Sequence, residues 1–181
     1  ISIEPNAYCH ARLVEKTKRL PNVQVLNVTV EALDNHVPAA DTFDTIILMN
    51  VLEHIKDDEG VLRRLKQRLA PGGRVVVLVP AGPWAFGSTD ERLGHYRRYS
   101  KASARDLMAR LRLEVQKLRY YNFIGVWAWW WNAKVTQRQS QNDAQIRLFD
   151  RCFVPLISRI EKVLPPPLGQ SVLVVGCQIR T

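Results

Sequence analysis

A chain of 181 residues with 46% hydrophobic side chains is long enough to bury one sizeable core and suits a single domain. Its cysteines, Cys9, Cys152 and Cys177, are far apart and form no CxxC pair, which excludes a disulfide framework and a thiolate zinc site and fits a reducing cytoplasm. No run reaches the roughly 18 apolar residues of a membrane span, the N-terminus lacks a signal-peptide layout, and a net charge of +9 points to an anionic partner.

The first run, "ISIE", reads as a short strand closed by Glu4, and Pro5-Asn6 opens a helix reaching Leu20. "VQVLNVTV" (23–30) is the next strand. "FDTIILMNV" (43–51) is apolar through its middle, the pattern of a central parallel strand covered on both faces. Val61, Leu62, Leu65 and Leu69 recur at helical spacing across 57–70, and Pro71-Gly72-Gly73 stops that helix. "RVVVLVP" (74–80) is a second buried strand. Residues 81–100 are loop-like and 101–113 helical, followed by a strand over 113–123, a tryptophan-dense helix over 124–135, an amphipathic helix over 149–164 and a last strand over 171–179. Alternating strands and helices predict an α/β layered fold in one domain over 1–181, with residues 124–170 an elaborated C-terminal region.

In such a fold ligands sit beyond the carboxyl ends of the strands. Glu4 ends the first strand there, Thr29, Val30 and Glu31 the second, and Met49 to His54 the third. A carboxylate at a strand end can accept both hydroxyls of a ribose, and it can equally cap the helix that follows. Glu53 and His54 can likewise balance the start of the helix near Asp57. The basic excess lies mostly on helices, in "RRLKQRL" (63–69) and across 104–119, where a solvated face accounts for it, and no nucleic-acid motif accompanies it.

Taken together, "IEPN", "TVEAL", "FDTIILMNVLEHI", "LAPGGRVVVLVPA" and the closing strand resemble a class I S-adenosylmethionine-dependent methyltransferase along essentially the whole chain, with "TVEAL" and "VLEHI" similar to ubiquinone-type O-methyltransferases. The resemblance implies a Rossmann-like, mostly parallel sheet with an antiparallel C-terminal strand and S-adenosyl-L-methionine as cofactor. Glu4 would bind its ribose, Thr29, Val30 and Glu31 would frame its adenine, and Met49, Asn50 and Val51 would line its methionine end. In some ubiquinone-pathway relatives an acidic pair and a histidine here bind a divalent metal; in this chain Asn50 stands for one acid, leaving Glu53 and His54. The family's GxGxG loop has no counterpart, so the first strand and helix are expected upstream of Ile1, and the chain as written is expected to bind the cofactor weakly.

The reaction expected is methyl transfer to a small-molecule acceptor, with oxygen as the acceptor atom. It requires alignment and, for oxygen, proton removal. His95 in "GHYRRYS" is the first candidate base and His54 the second, with Tyr96 beside them, while Arg97, Arg98 and Tyr99 are candidates for orienting the substrate. A solvated basic loop is the competing account of the same residues. The Trp-rich helix packs in the core, meets the inner face of the membrane, or forms a homodimer contact. A non-catalytic binding module with this fold is the main rival, and a nicotinamide-dependent oxidoreductase and a nucleic-acid binder are weaker ones.

Overall fold

The computed structural model describes residues 1–123, 125–126, 159–161 and 163–179. It divides into two compact units, 1–42 and 43–181. The Trp-rich segment and most of the expected helix over 149–164 lie outside the described residues.

In the first unit, β1 (Ser2–Ile3) pairs in parallel with β2 (Val25–Leu26), and α1 (Ala7–Thr17) lies between them in sequence. Asn6 caps α1 by accepting the backbone N–H of Cys9 at 3.1 Å, which satisfies a donor the helix leaves orphaned. The expected strand over 23–30 is much shorter. Asn27 turns its amide onto the carbonyls of Glu4 and Pro5, and a 3₁₀ turn, Val30–Asn35, begins directly after Thr29. The side chain thus ends the strand by bonding across to the neighbouring connection. Leu33 and Val37 form the buried part of this unit, and α1 contributes no buried residue.

The second unit is built on a four-stranded sheet of order β3-β4-β6-β5. Its strands are β3 (Phe43–Met49), β4 (Leu69–Pro80), β5 (Leu113–Tyr121) and β6 (Ser171–Gln178). β3 and β4 are parallel, and β6 is antiparallel to both β4 and β5, so β3, β4 and β5 run one way and the C-terminal strand runs against them. Between β3 and β4 lies α2 (Asp58–Gln67), capped by Asp57 through Gly60 N–H at 2.9 Å. After β4 come the short α3 (Ser88–Arg92) and then α4 (Lys101–Arg110), which Ser100 and Ser103 cap.

Two expectations meet a different outcome among the described residues. There β3 is paired on one side only, and Ile47 and Met49 are 61% and 59% exposed. Apolar composition suits a strand to burial, but a neighbouring element must supply the cover. Pro71-Gly72-Gly73 does not by itself stop α2, which ends at Gln67 with Arg68 as its cap, so these residues fall inside the long β4. Gly72 has φ of 78°, a left-handed value suited to glycine, and the register with β3 shifts between Phe43 and Thr45.

The core lies between one face of the sheet and its helices. Val75, Val77 and Val79 alternate inward along β4, as do Val172 and Val174 along β6, while α2 and α4 contribute Leu62 and Met108, both fully buried. Gly176 lets β6 pass close to this layer: a Cβ there would lie 2.7 Å from Met108 Sδ and 3.1 Å from Leu113 Cβ. Gly176→Val is therefore expected to overpack the site and cost about 1–3 kcal/mol, read as a lower urea midpoint with the slope of the transition unchanged.

Candidate active site

The carboxyl ends of β3 and β4 are adjacent because the strands are parallel and in register from Thr45–Arg74 to Met49–Leu78. Asn50 follows at φ 52°, an αL value that Asn tolerates better than most residues, while its N–H still bonds to Leu78 C=O at 2.8 Å. The chain then drops into a 3₁₀ turn, Leu52–His54, with Leu52 fully buried, Glu53 1% exposed and His54 exposed. This is how a strand of apolar residues delivers titratable groups to one edge of the sheet.

The loop after β4 folds back over that edge. Ala81 and Tyr99 form a parallel bridge, and Tyr96 N–H donates to Glu53 C=O at 2.7 Å. Gly94, at φ 73°, turns the chain after α3 so that His95 returns against Asp90. His95 Nδ1 then lies 2.8 Å from Asp90 Oδ1, and the His95 ring meets that of His54 edge-on at 4.7 Å between centroids. One ligand atom from each of Glu53, His54 and His95 lies within 4.8 Å of the others.

Asp90 holds this arrangement and was not among the candidates read from the sequence. It is fully buried; Oδ1 also accepts from Arg98 Nε at 2.8 Å, and Oδ2 accepts from Gly87 N–H at 3.1 Å. Burial opposes its ionisation, but the hydrogen bonds from Arg98 and His95, the Arg98 charge and the Gly87 N–H outweigh it, so its carboxyl stays below the usual range. Glu53 goes the other way. Burial pushes its carboxyl up, only partly opposed by its own backbone N–H and the nearby His54 and His95, and Oε2 has no hydrogen-bond partner. Two neighbouring carboxyls with opposite tendencies are typical of functional sites.

Of the other expected loop residues, Arg97, Arg98 and Tyr99 have their polar groups engaged within the protein. Tyr99 is buried and donates its hydroxyl to Asp58 Oδ2 at 2.6 Å; burial, followed by Asp58, pushes the phenol up and keeps it neutral. Arg97 pairs with Asp58 Oδ1 at 2.6 Å and donates to Lys56 C=O, and Arg98 reaches Asp90 and Ala81 C=O. Tyr96 is exposed, as are Trp84 and Leu93 on the same loop. Met49 and Asn50 are exposed and Val51 half-buried at the end of β3.

In the first unit, Glu4 closes β1 with its N–H on Leu26 C=O, and its Oε1 accepts Asn6 N–H at 2.9 Å. The capping role weighed from the sequence is thus present, yet a carboxylate offers roughly four acceptor positions and this bond uses one. Thr29 and Glu31 are exposed and Val30 half-buried around the start of the 3₁₀ turn.

A family model described as a methyltransferase domain matches residues 1–134. The chain is 36% identical over 72 residues, 40% of its length, to a ubiquinone biosynthesis O-methyltransferase of Paracidovorax citrulli, of which that match covers 25%. It is 32% identical over 92 residues, 51% of its length, to one of Albidiferax ferrireducens, covering 32% of that protein. The chain therefore matches about a quarter to a third of the length of these curated relatives. Among solved structures, N-methyltransferase NodS of Bradyrhizobium japonicum in complex with S-adenosyl-l-homocysteine aligns with a TM-score of 0.54 at 15% identity, over 97% of this chain and 64% of that one. A putative sarcosine dimethylglycine methyltransferase of Galdieria sulphuraria aligns at 0.59 and 12% identity, over 98% and 69%. At these identities the structural matches show a common fold, the Rossmann-like α/β arrangement expected from the sequence.

The Tyr99–Asp58 bond joins the loop to the start of α2 and generates a test. Tyr99→Phe keeps the ring and removes the hydroxyl, and is expected to lower stability by about 1.5–3 kcal/mol, the range for a hydrogen bond to a charged group. Urea denaturation measures it; a change within about 0.5 kcal/mol, the size typical of a neutral surface substitution, would mean that water replaces the bond without loss.

Proposed function

Because this chain belongs to the methyltransferase-domain family, we propose that it is the catalytic domain of an S-adenosylmethionine-dependent methyltransferase whose acceptor is an oxygen of a small molecule. The observation that carries the reading is the imidazole of His95, held by a buried carboxylate beside Glu53 and His54 where β3 and β4 end. The oxygen acceptor is supported by the similarity to the two ubiquinone biosynthesis O-methyltransferases.

Glu4 would hold the ribose hydroxyls, using the acceptor capacity its bond to Asn6 leaves free. Thr29, Val30 and Glu31 would border the adenine, and Met49, Asn50 and Val51 the methionine end. When bound, S-adenosylmethionine supplies an electrophilic methyl group. The protein's task is then to orient the acceptor and to take its proton, and His95 Nε2, the ring nitrogen not engaged by Asp90, would take that proton from the acceptor hydroxyl. His54 stands next to it as the alternative acceptor of the proton. Tyr96, exposed on the same loop as Trp84 and Leu93, would contact an acceptor with aromatic or apolar character. Arg97, Arg98 and Tyr99 would act on the substrate by fixing the loop, since their polar groups are spent on Asp58, Asp90 and the backbone.

The unpartnered Oε2 of Glu53 favours a second reading, in which Glu53, His54 and His95 hold a divalent cation. Two imidazoles and one carboxylate are a donor set suited to a borderline divalent ion, which would acidify an acceptor hydroxyl. Turnover that a chelator abolishes and added metal restores selects this reading; chelator-insensitive turnover selects proton transfer to His95.

No helix among the described residues is long and apolar enough to cross a membrane. The expected membrane or dimer contact of the Trp-rich helix falls outside the described residues. Cytoplasmic placement remains the reading from composition. In the whole protein, Glu4→Ala is expected to weaken S-adenosylmethionine binding by about 1–3 kcal/mol in calorimetric titration. His95→Ala should lower kcat about 100-fold or more with little change in cofactor affinity. Parallel losses in affinity and turnover would remove His95 from the proton-accepting role.

A further inference from the structure

We propose that Asp90 is a positioning residue of this site: its carboxylate fixes His95 in the tautomer that carries the proton on Nδ1 and leaves Nε2 as the accepting nitrogen. The inference rests on the reading of His95 as the proton acceptor and gives Asp90 a role that acts through that imidazole.

A neutral imidazole has one N–H, and which nitrogen bears it is decided by what the other groups around the ring accept or donate. Alone, the two tautomers interconvert, and only one would present a lone pair at Nε2. At His95 the choice is made by Asp90 Oδ1, 2.8 Å from Nδ1. An ionised carboxylate has only acceptor character, so this contact requires a proton on Nδ1. The carboxylate stays ionised although fully buried, because Arg98 Nε and Gly87 N–H donate to it as well.

The geometry is fixed from both sides. Asp90 C=O accepts the backbone N–H of His95 at 2.9 Å while its side chain holds the ring, so main chain and imidazole are tied to one residue. Arg98, whose side chain is 8% exposed, holds Asp90 from the other direction and is itself tied to Ala81 C=O. The charged and titratable groups facing His95 are therefore Asp90 and Arg98 from its own loop, and Glu53 and His54 from the turn after β3. Among these, Asp90 alone is in hydrogen-bond contact with Nδ1. The cost of burying a carboxylate is offset here by three donors, one of which is the imidazole itself.

The test needs no knowledge of the natural acceptor. Nitrogen-15 NMR of the histidine rings at about pH 8, where ordinary histidines are neutral, reports which nitrogen is protonated. The chain has four histidines, and the spectrum of His95→Ala assigns the signal. In the native protein the expected pattern is protonated Nδ1 and bare Nε2; in Asp90→Asn, whose amide can donate to Nδ1, the pattern is expected to reverse or to average. A bare Nδ1 in the native protein overturns the proposal outright, whatever the variants do. With S-adenosylmethionine and 3,4-dihydroxybenzoate as a catechol probe, Asp90→Asn is expected to lower kcat about tenfold or more, leaving KM and cofactor affinity unchanged, and to add no loss in a His95→Ala background. If His95→Ala lowers turnover and Asp90→Asn does not, the positioning role falls while the proton-accepting role of His95 stands. If His95→Ala leaves turnover of the probe intact, the proton-accepting reading falls instead, and the NMR pattern still decides what Asp90 does to the ring.

Discussion

The buried carboxylate of Asp90 is the constraint from which the rest of the site follows. A carboxylate removed from water is costly unless its charge and lone pairs are matched, and here a guanidinium, an imidazole and a backbone N–H match them. Each of these donors comes from a different part of the loop between β4 and α4. Satisfying one buried group therefore sets the course of the twelve residues from Gly87 to Arg98. It brings His95 back to the turn that carries Glu53 and His54.

A second, half-buried contact closes the loop from its far end. Asp58 sits in the first turn of α2, where the helix dipole favours a negative charge, and there receives both the Tyr99 hydroxyl and the Arg97 guanidinium. The bridge between Ala81 and Tyr99 anchors the same stretch to the end of β4. Loops at the carboxyl edge of an α/β sheet carry chemistry because a scaffold positions them; this one is folded on itself by the Asp90 carboxylate and held to the scaffold by that of Asp58 and a short strand pairing. The aromatic residues that remain exposed, Trp84 and Tyr96, are presented by a fixed loop and not by a free one.

The basic excess has a plainer basis. Glu59 accepts from both Arg63 and Arg110, an exposed arrangement in which the Arg110 bond, ahead of the Arg63 bond, draws the carboxyl below its usual range. Exposed pairs of this kind contribute little to stability. They join α2 to α4 at the surface and give part of the positive charge a structural place, in agreement with the solvated helical faces expected from the sequence.

Element type, chain order and the gathering of titratable groups after β3 were legible in the residues. Apolar runs at 43–49 and 74–80 and helical spacing at 57–70 reflect local periodicity, which any stretch carries within itself. The end of β3 was legible for the same reason, since polar residues directly after an apolar strand mark the edge of a sheet. Cover and partnership were not. β3 reads as central, and among the described residues it is paired on one side only, because exposure is set by what packs alongside and not by the strand's own composition. The loop histidine was found as a titratable residue in a polar stretch. Asp90, one of two adjacent acids in "STDERLGH", gave no signal, because burial and three converging donors exist only once the loop has folded back. Tyr99, Arg97 and Arg98 read as groups free to meet a substrate, and the tertiary structure commits them to Asp58 and Asp90. The sequence by itself determined which chemical groups reach this edge of the sheet. Only the tertiary structure decided which of them are used up in holding the others in place, since hydrogen-bond partners 41 residues apart, as Tyr99 and Asp58 are, meet only in the folded chain.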